Sequence, residues 1–182
     1  MKATGIVRRI DDLGRLVIPK EIRRSLRIRE SDPIEIYTGG DGEIILRKYA
    51  RMRELSDYAP QLVQAINGAF GCTAAISDTS TVLFAAGTLK KALLGAALSK
   101  DYLAFLHRRQ MLFYDDTAVS RTPLLESQQA QFLQVCGMPV TVSGDPAGSV
   151  ILLSNEPTPR FFAPELQMLK TAALYLGKLL ED

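Results

Sequence analysis

Seven basic side chains fall between positions 8 and 27: Arg8, Arg9, Arg15, Lys20, Arg23, Arg24 and Arg27. The chemistry they offer is anion recognition. A guanidinium is planar and permanently charged, and it donates to two phosphate oxygens at once or to both acceptors on a guanine edge. No competing constellation for bond-making chemistry is present. His107 is the single histidine, and Cys72 and Cys136 are the two cysteines, without a CxxC spacing. This argues against a zinc site, a disulfide framework or a nucleophile paired with a base. The expectation is a protein that is not an enzyme and carries no metal or cofactor. Lys90-Lys91 and His107-Arg108-Arg109 read as solvated helix faces rather than anion sites, and Asp115-Asp116 as a turn.

The arginines become informative once placed on an element. The run PKEIRRSLRI reads as a helix of about three turns with Pro19 as its first residue. With Ile22 at 0° on a helical wheel, Leu26 falls at about 40°. Arg23, Arg27, Lys20 and Arg24 then fall at about 100°, 140°, 160° and 200°. All four cations share the arc opposite the apolar pair, and Glu21 lies outside it. A face shaped only by solubility mixes its signs. Nucleic acid is the better reading, and a plain solvated face is the alternative. Arg8, Arg9 and Arg15 belong to short β-branched runs. Arg8 shares strand parity with Ile6 and Ile10, and Arg15 with Leu13 and Val17, so alternation does not decide where these side chains point.

The charge balance separates the chain into two parts. Residues 1–53 carry 13 Lys/Arg against 8 Asp/Glu, and residues 54–182 carry 9 against 12. A basic front and a slightly acidic rear point to modules with different partners. At 182 residues and 47% hydrophobic content the chain is an ordinary globular one. It has no apolar run of membrane-spanning length and no secretory signal pattern, so a cytoplasmic setting without membrane partners is expected.

The first module, residues 1–53, reads β-β-α-β-β. GIVRRI and GRLVIP are strands around the turn DDLG, then comes the helix, then IEIY and EIILRK around the glycine-rich turn TGGDG. Some fifty residues with four short strands bury too little apolar surface to be comfortable alone, so pairing with a second copy is expected. In the second module, residues 54–182, Leu55, Tyr58, Leu62, Ala65 and Ala69 mark an amphipathic helix that could join the modules without a hinge. CTAAIS and TVLFAA read as strands, TLKKALLGAALS and DYLAFLHRRQ as helices, and MLFY as a further strand. QAQFLQVCGMPVTV and GSVILLS form a closing hairpin around SGDPAG. The last helix, about 164–181, carries two apolar stripes. Leu166, Leu169, Ala173, Leu176 and Leu180 form one, and Met168, Ala172, Tyr175 and Leu179 the other. One stripe suits the helix's own sheet and the second suits a partner chain.

The segment TGIVRRIDDLGRLVIPKEIRRSLRIRESDPIEIY resembles the DNA-binding module of AbrB-type transition-state regulators, whose pattern is TGIVRxxDxLGRxVIPxELRRxLxI. The resemblance covers nearly all of residues 1–50, with Leu16 and Ile22 as mild departures. It implies an α+β chain that begins with a swapped-hairpin β-barrel formed by two chains. Arg8, Arg15, Arg23 and Arg24 stand where that family contacts double-stranded DNA; Arg9, Lys20 and Arg27 are added by the charge and wheel reading alone. The whole-chain layout is similar to sporulation regulators of this family that carry a C-terminal GAF domain, an α/β domain with a central antiparallel sheet flanked by helices. PVTVSGDPAGSVILLS resembles the central hairpin of such domains. The resemblance implies a transcription regulator, dimeric through residues 1–53, whose residues 54–182 either assemble a tetramer or sense an unidentified small-molecule effector. Arginines at the ends of such a barrel suit several groove shapes, so sequence-tolerant recognition of DNA is expected. The alternative is an antitoxin-like interaction module, which uses the same hairpin fold.

Overall fold

In a computed structural model, which describes residues 5–26, 28, 30, 32–115, 117–118, 120–127, 132–156 and 161–181, the chain divides into two compact units, residues 1–49 and 50–182. In the first, β1 (Ile34–Thr38) pairs antiparallel with β2 (Ile44–Lys48), Ile36 lying opposite Leu46. Their link is a single 3-10 turn, Gly40–Gly42. This hairpin is the one read from IEIY and EIILRK.

The rest of the unit departs from the sequence reading. Helix α1 (Lys20–Ser25) is only six residues long. Pro19 caps it from outside with ψ 148°, so the proline precedes the helix instead of opening it. GIVRRI and GRLVIP form no strand; among the described residues of that stretch a turn stands alone. It is closed by Gly14 N–H to the Asp11 carbonyl at 3.0 Å and Asp11 N–H to the Arg15 carbonyl at 3.1 Å. A strand exists only through its ladder, and these two β-branched segments find no ladder inside one chain.

The junction is also different. A 3-10 turn, Arg51–Leu55, precedes α2 (Ala59–Phe70), so no continuous helix runs from Arg53. Pro60 sits in the first turn of α2, where its missing N–H costs nothing. Met52 and Leu55 are buried in the core of the second unit, so the expected boundary at Arg53 falls inside an element that packs with that unit.

The second unit is built on a five-stranded, wholly antiparallel sheet in the order β4-β3-β7-β6-β5. Its strands are β3 (Thr73–Ser77), β4 (Val82–Ala86), β5 (Leu112–Tyr114), β6 (Gln134–Val142) and β7 (Asp145–Ser154). The run VILLS in central β7 is apolar without alternation because both of its faces are covered. Val150 and Leu152 meet α2 and α5 (Ala163–Leu179) on one side. Ile151 and Leu153 meet α3 (Lys90–Leu93) and α4 (Lys100–His107) on the other. The turn between β6 and β7 is tighter than SGDPAG implied: Ser143 and Gly144, with φ of 50° and 87°, suffice. The helix read over TLKKALLGAALS shrinks to α3.

Among the described residues no helix is long and apolar enough to cross a membrane. Both cysteines are buried, and burial pushes the Cys136 thiol up to about 12. Native protein at pH 8 should therefore resist thiol labelling, and both cysteines should react once urea unfolds the chain. Stoichiometric labelling of the native protein would show that this core opens.

Candidate nucleic-acid interface

The DDLGR turn sets one arginine in a defined place. The Asp11 carboxylate accepts from the backbone N–H of Leu13 at 3.1 Å and of Arg15 at 2.7 Å through one oxygen. Its other oxygen accepts from Nε of Arg15 at 2.8 Å. The backbone N–H and then the guanidinium of Arg15 hold the Asp11 carboxyl below the usual carboxylate range. Arg15 stays exposed. Sequence reading treated Asp11 as a turn residue only; its four-residue spacing to an arginine across a glycine was the available signal.

Lys20, Arg23 and Arg24 sit on α1 and are exposed, while Ile22 on the opposite side is half-buried. The short helix still carries these three cations on one arc, and Glu21 off it. Arg8 and Arg9 are exposed in the segment before the Asp11 turn, which forms neither helix nor strand. Arg27 lies outside the described residues. Elsewhere in this unit, Arg47 stacks over the Tyr37 ring at 5.1 Å, and a hydrogen bond to Glu35 holds the Tyr37 hydroxyl above its usual range.

This basic unit also exposes its apolar residues. Val7 is 88% exposed, Val17 72%, Leu13 69%, Ile36 67% and Ile44 65%. Among its described residues Pro19 alone is buried. A single chain thus leaves the unit without a core.

The second unit presents a different interior. The Tyr102 hydroxyl donates to Ser149 Oγ at 2.9 Å, and Ser77 Oγ lies 2.6 Å from Ser149 Oγ. All three residues are fully buried, and burial raises the tyrosine above its usual range. Gly137 on β6 leaves the room the tyrosine ring takes. The hydroxyls satisfy one another, so the trio serves packing between α4 and the sheet. On α5 the first apolar stripe is covered as read: Leu169, Ala173 and Leu176 are buried. The second is divided, Ala172 being buried and Tyr175 52% exposed, with Leu174 61% exposed beside it. Asp115 forms the turn expected of it, accepting from Thr117 N–H and Oγ1.

A basic hairpin unit followed by an α/β unit whose antiparallel sheet carries helices on both faces is the organisation that comparison with known proteins returns. The profile of the stage V sporulation protein T C-terminal transcription factor family matches residues 54–181, and that of the MazE antidote-toxin recognition family of bacterial antitoxins matches residues 7–54. The chain is 39% identical to stage V sporulation protein T of Bacillus subtilis (strain 168) over 182 residues, all of both chains. The chain belongs to the stage V sporulation protein T family of transcription factors. Its front is 61% identical over 49 residues to the transition state regulatory protein AbrB of the same organism, covering 27% of this chain and 50% of that one. The GAF domain of an Acinetobacter phosphoenolpyruvate-protein phosphotransferase superposes with a TM-score of 0.56 at 14% identity, over 71% of this chain and 87% of that one. At that identity the likeness shows the fold alone. The fold is α+β, an AbrB-like unit followed by a GAF-like one.

Proposed function

We propose that the chain is a DNA-binding transcription regulator of the sporulation and transition-state type, working in the cytoplasm and without enzymatic activity. Residues 1–53 form the recognition module. The observation that carries this reading is the exposed, single-signed arc of Lys20, Arg23 and Arg24 on α1, in a unit that leaves Val7, Val17 and Ile36 uncovered. A second copy supplies the missing core, and its strands complete the ladders that GIVRRI and GRLVIP lack. Pairing doubles every arginine, and Arg8, Arg15, Arg23 and Arg24 become eight cations on one surface. Arg9, Lys20 and Arg27 add to it.

Such a surface reads backbone shape and deformability more than base edges, so it tolerates sequence and favours AT-rich, bendable sites. Residues 54–182 assemble two dimers into a tetramer or sense a small molecule. The exposed Leu174 and Tyr175 on α5 favour assembly. The match of residues 7–54 to an antitoxin family favours an interaction module as the second reading; a folded rear unit with its own core favours it less.

Titrating the full chain onto a 30-base-pair AT-rich duplex at increasing salt tests the proposal. Eight phosphate contacts per dimer give a log–log slope of affinity against salt approaching roughly −7. Absence of binding at low salt would contradict it.

A further inference from the structure

Asp11 is an acid in the middle of a basic surface, and it faces one of the arginines that surface depends on. An anion there repels phosphate and lowers the net charge, so a chain selected for affinity alone would omit it. Its bonds give it another use. One carboxylate oxygen fixes the turn by accepting from Leu13 and Arg15 N–H, at 3.1 and 2.7 Å. The other takes Nε of Arg15 at 2.8 Å. A guanidinium has five N–H donors in one plane, and the Nε contact spends one and orients that plane. The four N–H donors of the two terminal nitrogens are left for a bidentate partner.

We infer that Asp11 is a positioning residue for DNA recognition, holding the Arg15 fork in its binding orientation before DNA arrives. The long, exposed side chain of Arg15 would otherwise lose rotamer freedom on binding. The carboxylate removes part of that cost beforehand, in exchange for some electrostatic attraction. The inference rests on the reading that Arg15 touches DNA, and the two are separable by experiment.

Asn is the discriminating replacement. In Asp11→Asn the amide oxygen still accepts from the backbone N–H groups of Leu13 and Arg15, so the turn survives. The amide nitrogen is a donor and cannot accept from Nε. Four full-length proteins are compared on one AT-rich duplex at fixed salt: wild type, D11N, R15A and D11N/R15A. Light scattering checks that all four keep the same oligomeric state. R15A should weaken binding; unchanged affinity would overturn the contact role of Arg15 itself. D11N should weaken wild-type binding about fivefold, despite removing a negative charge. In the R15A background the same replacement should cost nothing, or should strengthen binding by lifting the repulsion. If D11N leaves wild-type affinity unchanged or raised, Asp11 does not position Arg15. An equal loss in both backgrounds would make Asp11 a turn residue only, and would overturn the inference while leaving Arg15 as a contact.

Discussion

Replacing Arg23 and Arg24 together with alanine should abolish DNA binding and leave the oligomer intact. Both side chains are exposed in the last turn of α1, where their removal empties no core and breaks no buried pair. Surface replacements of this kind change stability by about 0.5 kcal/mol or less. In the proposed dimer the double replacement removes four cations from the proposed DNA-facing surface. At about 1.5 kcal/mol for each charge-assisted contact, four losses weaken binding by roughly ten-thousandfold or more. A gel shift reads the affinity, and light scattering reads the particle mass. Unchanged affinity would sink the assignment of α1 to DNA, whereas a fall in mass would mean that these arginines hold the oligomer.

The second large effect is on the rear unit. Gly148→Ala should lower the thermal midpoint of the GAF-like unit by about 10 °C. Gly148 lies in central β7, opposite Val140 on β6. A Cβ at this position would fall on the carbonyl oxygen of Ser77 and stand 2.8 Å from Cγ of Met52. The methionine can move, but Ser77 is held in its ladder, paired with Ser149. Relief requires β3 and β7 to part beside the buried trio of Ser77, Ser149 and Tyr102. Overpacking against backbone costs about 3 kcal/mol, and each kcal/mol shifts a unit of this size by about 2–4 °C. Calorimetry of the full chain checks it. A midpoint within a degree or two of wild type would show that the close approach relaxes easily.

The rear unit was the more legible half of the fold. VILLS has the unbroken apolar character of a strand covered on both faces, and its pairing with QVCGMPVTV across a short turn followed from the local sequence. The front hairpin was equally plain, since TGGDG allows little else. What failed were elements whose partners lie elsewhere in space. GIVRRI and GRLVIP have strand composition, yet composition supplies no ladder, and within one chain they form no strand. The helix at Lys20 is short for a related reason. Its apolar pair was Ile22 and Leu26, but Leu26 is 55% exposed in a single chain and lies just past the last helical residue. Periodicity also exaggerated α2, because it registers Leu55 and Tyr58 without registering Pro60.

The candidate site was legible as charge and less so as geometry. The wheel placed Lys20, Arg23 and Arg24 on one arc, and the six helical residues keep them there. Strand parity left Arg8 and Arg15 undecided, and the reason is now visible for Arg15. Its orientation comes from the Asp11 carboxylate in a turn, a contact that alternation cannot describe.

The central claim is that named arginines of a paired unit lie against DNA phosphates. The salt dependence of binding, measured for full-length wild type and for Arg23→Ala on the same AT-rich duplex, tests it most directly. A dimer loses two contacts through this replacement, so the log–log slope should become shallower by about 1.8. A slope identical to that of wild type would contradict the claim, whatever happened to the affinity.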